Sequence, residues 1–205
     1  MTASPGALLR RFLGAPLSRS TWGNLLYVLL AFPLGLLYFV FLVIGGSVGM
    51  GTALFGVGVP LLLVTVGAWW VFAALERGLA RSLLGVDLPF APRPWEGVAG
   101  PLARLGAHFT AESTWRDLAF VLLKFPLGMA SSMAVATSGS LGVALLVSPA
   151  LGPWSTGRAA YVGAWRIDHG WEAAVSLLAG LLTLLLTLTL ANALAALWRL
   201  LARAL

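Results

Sequence analysis

Residues 20–35 read STWGNLLYVLLAFPLG, and residues 113–128 read STWRDLAFVLLKFPLG. Eleven of these sixteen positions are identical, among them Thr21/Thr114, Trp22/Trp115, Phe32/Phe125, Pro33/Pro126 and Gly35/Gly128. A second matching pair follows: residues 73–83 read AALERGLARSL, and residues 195–205 read AALWRLLARAL, alike at eight of eleven positions. The first pair lies 93 residues apart and the second 122, so the halves share a beginning and an end, and the second half is longer by 29 residues between them. Such duplication predicts two like modules in a two-fold arrangement.

Hydrophobic residues make up 60% of the 205 positions and charged residues 10%. That balance suits a membrane interior and no soluble domain of this size. Residues 20–75 carry no charge over 56 positions. One helix of that length would be about 84 Å long, against a hydrocarbon core of about 30 Å, so the run must fold into two helices and a turn. Further charge-free runs cover residues 125–157 and 173–198. The expectation is an all-α membrane protein with four transmembrane helices near 22–45, 50–76, 115–148 and 173–199. Four glycines in GGSVGMG, residues 45–51, place the first turn there.

Arginine sets the orientation. Arg10, Arg11 and Arg19 precede the first helix, five arginines from Arg77 to Arg116 lie between the second and third, and Arg199 and Arg203 end the fourth. The opposite side has only Arg158 and Arg166. Both termini are therefore expected in the cytoplasm, with the chain in the cytoplasmic membrane. Each half then enters and leaves on one side, so the halves are expected to be parallel hairpin repeats. Repeat 1 covers about 20–85, an inner loop 86–112, and repeat 2 about 113–205, with an extra outer loop over 149–171. Trp22, Trp95, Trp115 and Trp198 are placed at the inner interface, and Trp154, Trp165 and Trp171 at the outer one.

The net charge of +6 reads as topology, with membrane lipid the partner of the basic residues. Nucleic acid is not expected as a partner, because no soluble domain gathers these residues. The absence of cysteine excludes disulfides and thiolate chemistry. Arg10-Arg11 ahead of an apolar stretch has the look of an export signal, but the stretch is too long and a retained first helix is expected. Residues 8–17 and 95–109 suit short interfacial helices. Thr114, with Asp117 three residues on, has the form of a capping box for the third helix.

The repeated T-W-x-x-L-x-[YF]-x-L-L-x-F-P-L-G, with Glu76-Arg77 and Leu83-Leu84-Gly85 after the second helix, resembles the bacterial family called the Putative sensor domain. The resemblance runs over about residues 20–205. It implies a four-helix membrane module that often stands ahead of a histidine-kinase region and also occurs alone. The sequence to Leu205 holds no phosphoacceptor or ATP-binding region, so the resemblance implies signalling through a separate protein rather than kinase activity.

Two groups of residues are candidates for a site. Pro33 with Gly35 and Pro126 with Gly128 interrupt two helices at equivalent depths, a pattern that either marks a central binding site or lets helices kink and pack closely. Lys124 stands beside the second of these, a costly place for an ammonium. Its plainest fate is to snorkel to the inner headgroups, with Asp117 two turns earlier to receive it. In the outer loop, Trp154, Trp165, Asp168, His169, Trp171 and Glu172 form a candidate contact surface, expected to fold as an ordered cap with its tryptophans partly buried. Asp168 beside His169 invites thoughts of acid–base or metal chemistry, but no third firm ligand follows, and a solvated loop is the plainer reading. No metal, cofactor or catalytic residue is expected. The leading function is a non-enzymatic membrane sensor or interaction module acting through a membrane protein partner or a homo-oligomer. An accessory subunit of a larger membrane complex is the alternative, and a small lipid or solute carrier a third.

Overall fold

The structure, a computed structural model, describes residues 18–86, 110–151, 160–167 and 169–203, with Gly14, Pro16, Gly97 and Gly100. The expected interfacial helices at 8–17 and 95–109, and the side chains of Trp154 and Asp168, lie outside the described residues. Four long helices dominate: α1 (Arg19–Thr52), α2 (Gly58–Leu84), α3 (Glu112–Val147) and α4 (Gly170–Ala202). Each is long and apolar enough to cross a membrane. The protein is an all-α, multi-pass membrane protein. A 3-10 turn (Ala53–Phe55) joins α1 to α2, and two short strands, β1 (Ala160–Val162) and β2 (Trp165–Ile167), stand between α3 and α4.

The chain forms two compact units. One comprises Leu26–Ser132 with Leu194–Leu205, and the other Met1–Leu25 with Met133–Ala193.

In the first unit, α1 and α2 form a hairpin. The glycines of residues 45–51 do not make its turn, as the sequence suggested; α1 runs through them to Thr52. Gly45 and Gly49 are four apart on one face and let α2 approach. A Cβ on Gly49 would lie 2.7 Å from Leu62 Cδ2, and one on Gly45 would collide with the Thr65 side chain. The reversal comes later, at Gly56, whose φ of 76° is a left-handed conformation open to glycine. The helix α2 stops at Gly85 as its sequence predicts, with the left-handed Gly85 N–H bonded to the Ala80 carbonyl. Arg199 of α4 donates to the Leu84 carbonyl at 3.1 Å and so covers another open end group.

The two FPLG segments cross each other in this unit. A Cβ on Gly35 would meet the Lys124 carbonyl at 2.8 Å, and one on Gly128 the Ala31 carbonyl oxygen at 2.5 Å. The repeat offset turns Ala31 into Lys124 and Gly35 into Gly128, so each glycine receives the backbone four residues before its own counterpart. Ser132 approaches Val28, Gly128 Ala31, and Gly35 Lys124, so α3 retreats as α1 advances. A parallel pairing of the two segments would instead set Ala31 level with Lys124 and Gly35 level with Gly128; Pro33 lies level with Pro126 in either arrangement. Pro33 leaves the Leu29 carbonyl without its helical donor. The Ser132 hydroxyl bonds there, at 2.6 Å from the Val28 oxygen and 3.4 Å from the Leu29 oxygen. Ser132→Ala is expected to lower stability by about 1 kcal/mol in a detergent unfolding assay, the ordinary worth of such a bond. No loss would mean that the kink satisfies its own carbonyls.

The second unit holds the end of α3 against most of α4. Gly142 faces Leu184 and Gly180 faces Leu146, each too close for a Cβ. Ser176 donates to the Leu145 carbonyl at 2.8 Å and lies 3.0 Å from the Ser148 hydroxyl. Asn192 links to Asn24 at 2.7 Å and to Thr21 at 3.1 Å. The strands pair antiparallel around a two-residue turn at Gly163, where φ is 62°. Ile167 is fully buried against Ala173, with Val162 and Trp165 packed on the pair. The expected tryptophan cap is corrected in one respect: Trp165 is half-buried, but Trp171 is 65% exposed.

Candidate functional site: a buried ion pair with aromatic walls

Glu76 and Lys124 form an ion pair inside the first unit. Both side chains are essentially inaccessible. Glu76 comes from α2, just past the long charge-free run, and Lys124 from α3, immediately before Phe125-Pro126. The helix α1 contributes two tyrosines. Tyr38 donates its hydroxyl to Glu76 Oε1 at 2.9 Å, and Tyr27 donates to Oε2 at 3.3 Å. The Tyr27 hydroxyl also accepts from Lys124 Nζ at 3.2 Å. Lys124 Nζ lies 4.4 Å from the centre of the Tyr27 ring and 5.3 Å from that of Trp198, brought by α4. Phe120 meets Trp198 edge-on, and the Tyr27 ring does the same. Four helices thus converge on one ammonium and one carboxylate.

The arrangement is electrically neutral and almost fully hydrogen-bonded. Both conditions are needed, because an isolated charge in such surroundings costs several kcal/mol. The next residue of α2, Arg77, pairs with Asp117, two turns before Lys124 on α3, at 2.6 Å, with side chains 7% and 10% exposed. Adjacent residues of α2 therefore grip α3 with opposite polarity: Glu76 holds a cation and Arg77 an anion. Sliding α3 by two turns would set like charges together, so the two pairs fix its register.

The expectations for three residues are corrected here. Lys124 does not snorkel; its stem is held among Tyr27, Glu76 and Trp198, 1% exposed. Asp117 does not receive Lys124 and does not cap α3; it faces Arg77, while α3 begins two residues before Thr114. Trp198, expected at the membrane surface, is 2% exposed and walls the ion pair. Pro33, Gly35, Pro126 and Gly128 meet at the crossing, and Lys124 sits within it, its backbone against Gly35. Glu76, Tyr27, Tyr38 and Trp198 escaped the sequence reading. One signal was available: Glu76 is where the repeat counterpart has Trp198, and Lys124 is where it has Ala31.

Of the second group of candidates, Trp165, His169, Trp171 and Glu172 are among the described residues. Glu172 accepts the His169 backbone N–H at 3.1 Å, the return half of a capping box at the start of α4. His169 Nδ1 lies 3.6 Å from the same carboxylate. Among the described residues, no three His, Cys, Asp or Glu side chains gather as for a metal ion.

Four membrane-crossing helices around a buried, neutral ion pair define a multi-pass membrane protein with a polar centre and no visible catalytic constellation among the described residues. Residues 27–205 match the model of the family described as Putative sensor. The chain belongs to that family. No curated protein and no solved structure matches it.

Proposed function

We propose that this protein is a non-enzymatic sensor module of the cytoplasmic membrane that signals through a separate protein partner. What carries this reading is the Glu76–Lys124 pair, to which α1, α2, α3 and α4 all contribute. Buried ion pairs add little net stability over apolar residues of similar size. The pair joins the two repeats, Glu76 from the first and Lys124 from the second, and the counterpart positions, Trp198 and Ala31, carry no charge. A costly pair whose counterpart positions carry no charge suits a switch point better than a scaffold. Membership of a sensor family supports the same direction.

Purification of the native protein in mild detergent tests the reading. A stoichiometric partner carrying a cytoplasmic signalling domain is the expected result. A partner that is instead the core of a larger membrane enzyme would make this chain an accessory subunit. Movement of solute by the purified chain in liposomes would make it a carrier.

Both termini are placed in the cytoplasm, on the excess of arginine near them. Tags at either end should be shielded from a membrane-impermeant reagent in intact spheroplasts and react after lysis. Labelling of an end tag in intact spheroplasts would reverse the orientation.

A further inference from the structure

We propose that the Glu76 carboxylate and the rings of Tyr27 and Trp198 form a cage for an organic ammonium group, that Lys124 is its resident occupant, and that alkylammonium compounds compete with Lys124 for it. The inference rests on reading this cluster as the input of a sensor, and it names the chemistry of the ligand.

The walls are those that recognise ammonium ions. A carboxylate supplies the counter-charge, and electron-rich aromatic faces supply the rest. Here the carboxylate is fully buried and the ring centres lie 4.4 and 5.3 Å from the nitrogen. The Tyr38 hydroxyl holds the carboxylate from its far side, at 2.9 Å, and leaves Oε2 directed at the cation. The carboxylate therefore keeps both tyrosine donors from α1 when the ammonium leaves.

The ammonium is the replaceable member. It reaches the cage on a four-carbon stem from α3, whereas the rings and the carboxylate are packed side chains of the other helices. At the repeat counterpart of Lys124 stands Ala31, so the backbone at this depth is built with a methyl group as readily as with a lysine. A free amine with a short alkyl tail has the shape of the lysine stem it would displace. The same group occurs on an aminolipid, and the source decides whether the stimulus is a solute or the membrane itself.

Lys124→Ala empties the stem's place and leaves the cage. The purified variant should gain thermal stability on addition of n-butylammonium, with Tm rising by about 5 °C or more near saturation. Lys124→Ala combined with Glu76→Gln should show no such rise, and the parent protein a smaller one, since its own lysine competes. Reconstitution into nanodiscs separates the sources. A higher Tm in phosphatidylethanolamine than in phosphatidylglycerol, seen in Lys124→Ala and lost in the double variant, assigns the lipid headgroup. A response to butylammonium alone assigns a soluble amine. If Lys124→Ala yields no folded protein, Lys124→Met keeps the stem to its last carbon and is tested with methylammonium in its place. No response from the single variants, or an equal response with Glu76→Gln present, overturns the cage. None of these measurements involves a signalling partner, so a failed cage would leave the sensor reading standing, and a missing partner would leave the cage standing.

Discussion

Glu76→Gln alone will destabilise the protein more than Glu76→Gln combined with Lys124→Met. The single change strands an ammonium that is 1% exposed, with nowhere to reach water. Breaking one side of a buried pair typically costs about 3–5 kcal/mol. Removing both charges takes away the attraction and the desolvation cost together, and the double variant should fall within about 2 kcal/mol of the parent. Tyr38→Phe should cost about 1 kcal/mol, because the carboxylate keeps Tyr27 and Lys124. Unfolding followed by circular dichroism in one detergent, with all variants in parallel, reads the differences. A double variant as weak as the singles would show that packing, not charge, accounts for the loss.

The second large effect belongs to the helix crossing. Gly128→Val should cost about 3 kcal/mol or prevent folding, since its first carbon would already lie 2.5 Å from the Ala31 oxygen and 2.7 Å from the Ala31 carbonyl carbon. These are backbone atoms, and no rotamer change relieves them. Gly35→Val meets the Lys124 backbone in the same way and should behave alike. Gly78→Val is the control, because nothing lies within 4 Å of a Cβ there. It should change stability by less than about 0.5 kcal/mol, as exposed substitutions do. Equal losses at Gly78 and Gly128 would show that contact between α1 and α3 is not the cause.

The helices were legible because charge is so costly in hydrocarbon that its absence marks each span. The end of α1 was misjudged because glycine has two uses that look the same in sequence. Gly45 and Gly49 serve close packing against Thr65 and Leu62, and Gly56 serves the turn into α2. The strand pair was overlooked because three-residue strands give too short an alternation to stand out in a loop; Val162-Gly163-Ala164-Trp165 was its one signal. Lys124 drew notice by its depth, but its true partner did not. Glu76 lies at the edge of a charge-free run, where a carboxylate ordinarily faces water. Its burial depends on α1 and α3, which only the folded chain brings to it. Trp198 was misplaced for a related reason: interfacial and buried tryptophans look alike until the neighbours are known.

The two tyrosines matter again when the chain is made. Synthesis is directional, at about 5–20 residues per second, and Glu76 emerges well before Lys124. Through that interval α2 must enter the bilayer carrying a carboxylate whose cation does not yet exist. An acidic residue raises the cost of insertion, by up to about 3 kcal/mol at the centre of a span and by less towards its end, where Glu76 lies. Tyr27 and Tyr38 are already present by then, on the helix that precedes α2, and both donate to this carboxylate in the finished protein. The first hairpin thus brings its own chaperones for Glu76, two hydroxyls that escort the charge until α3 arrives.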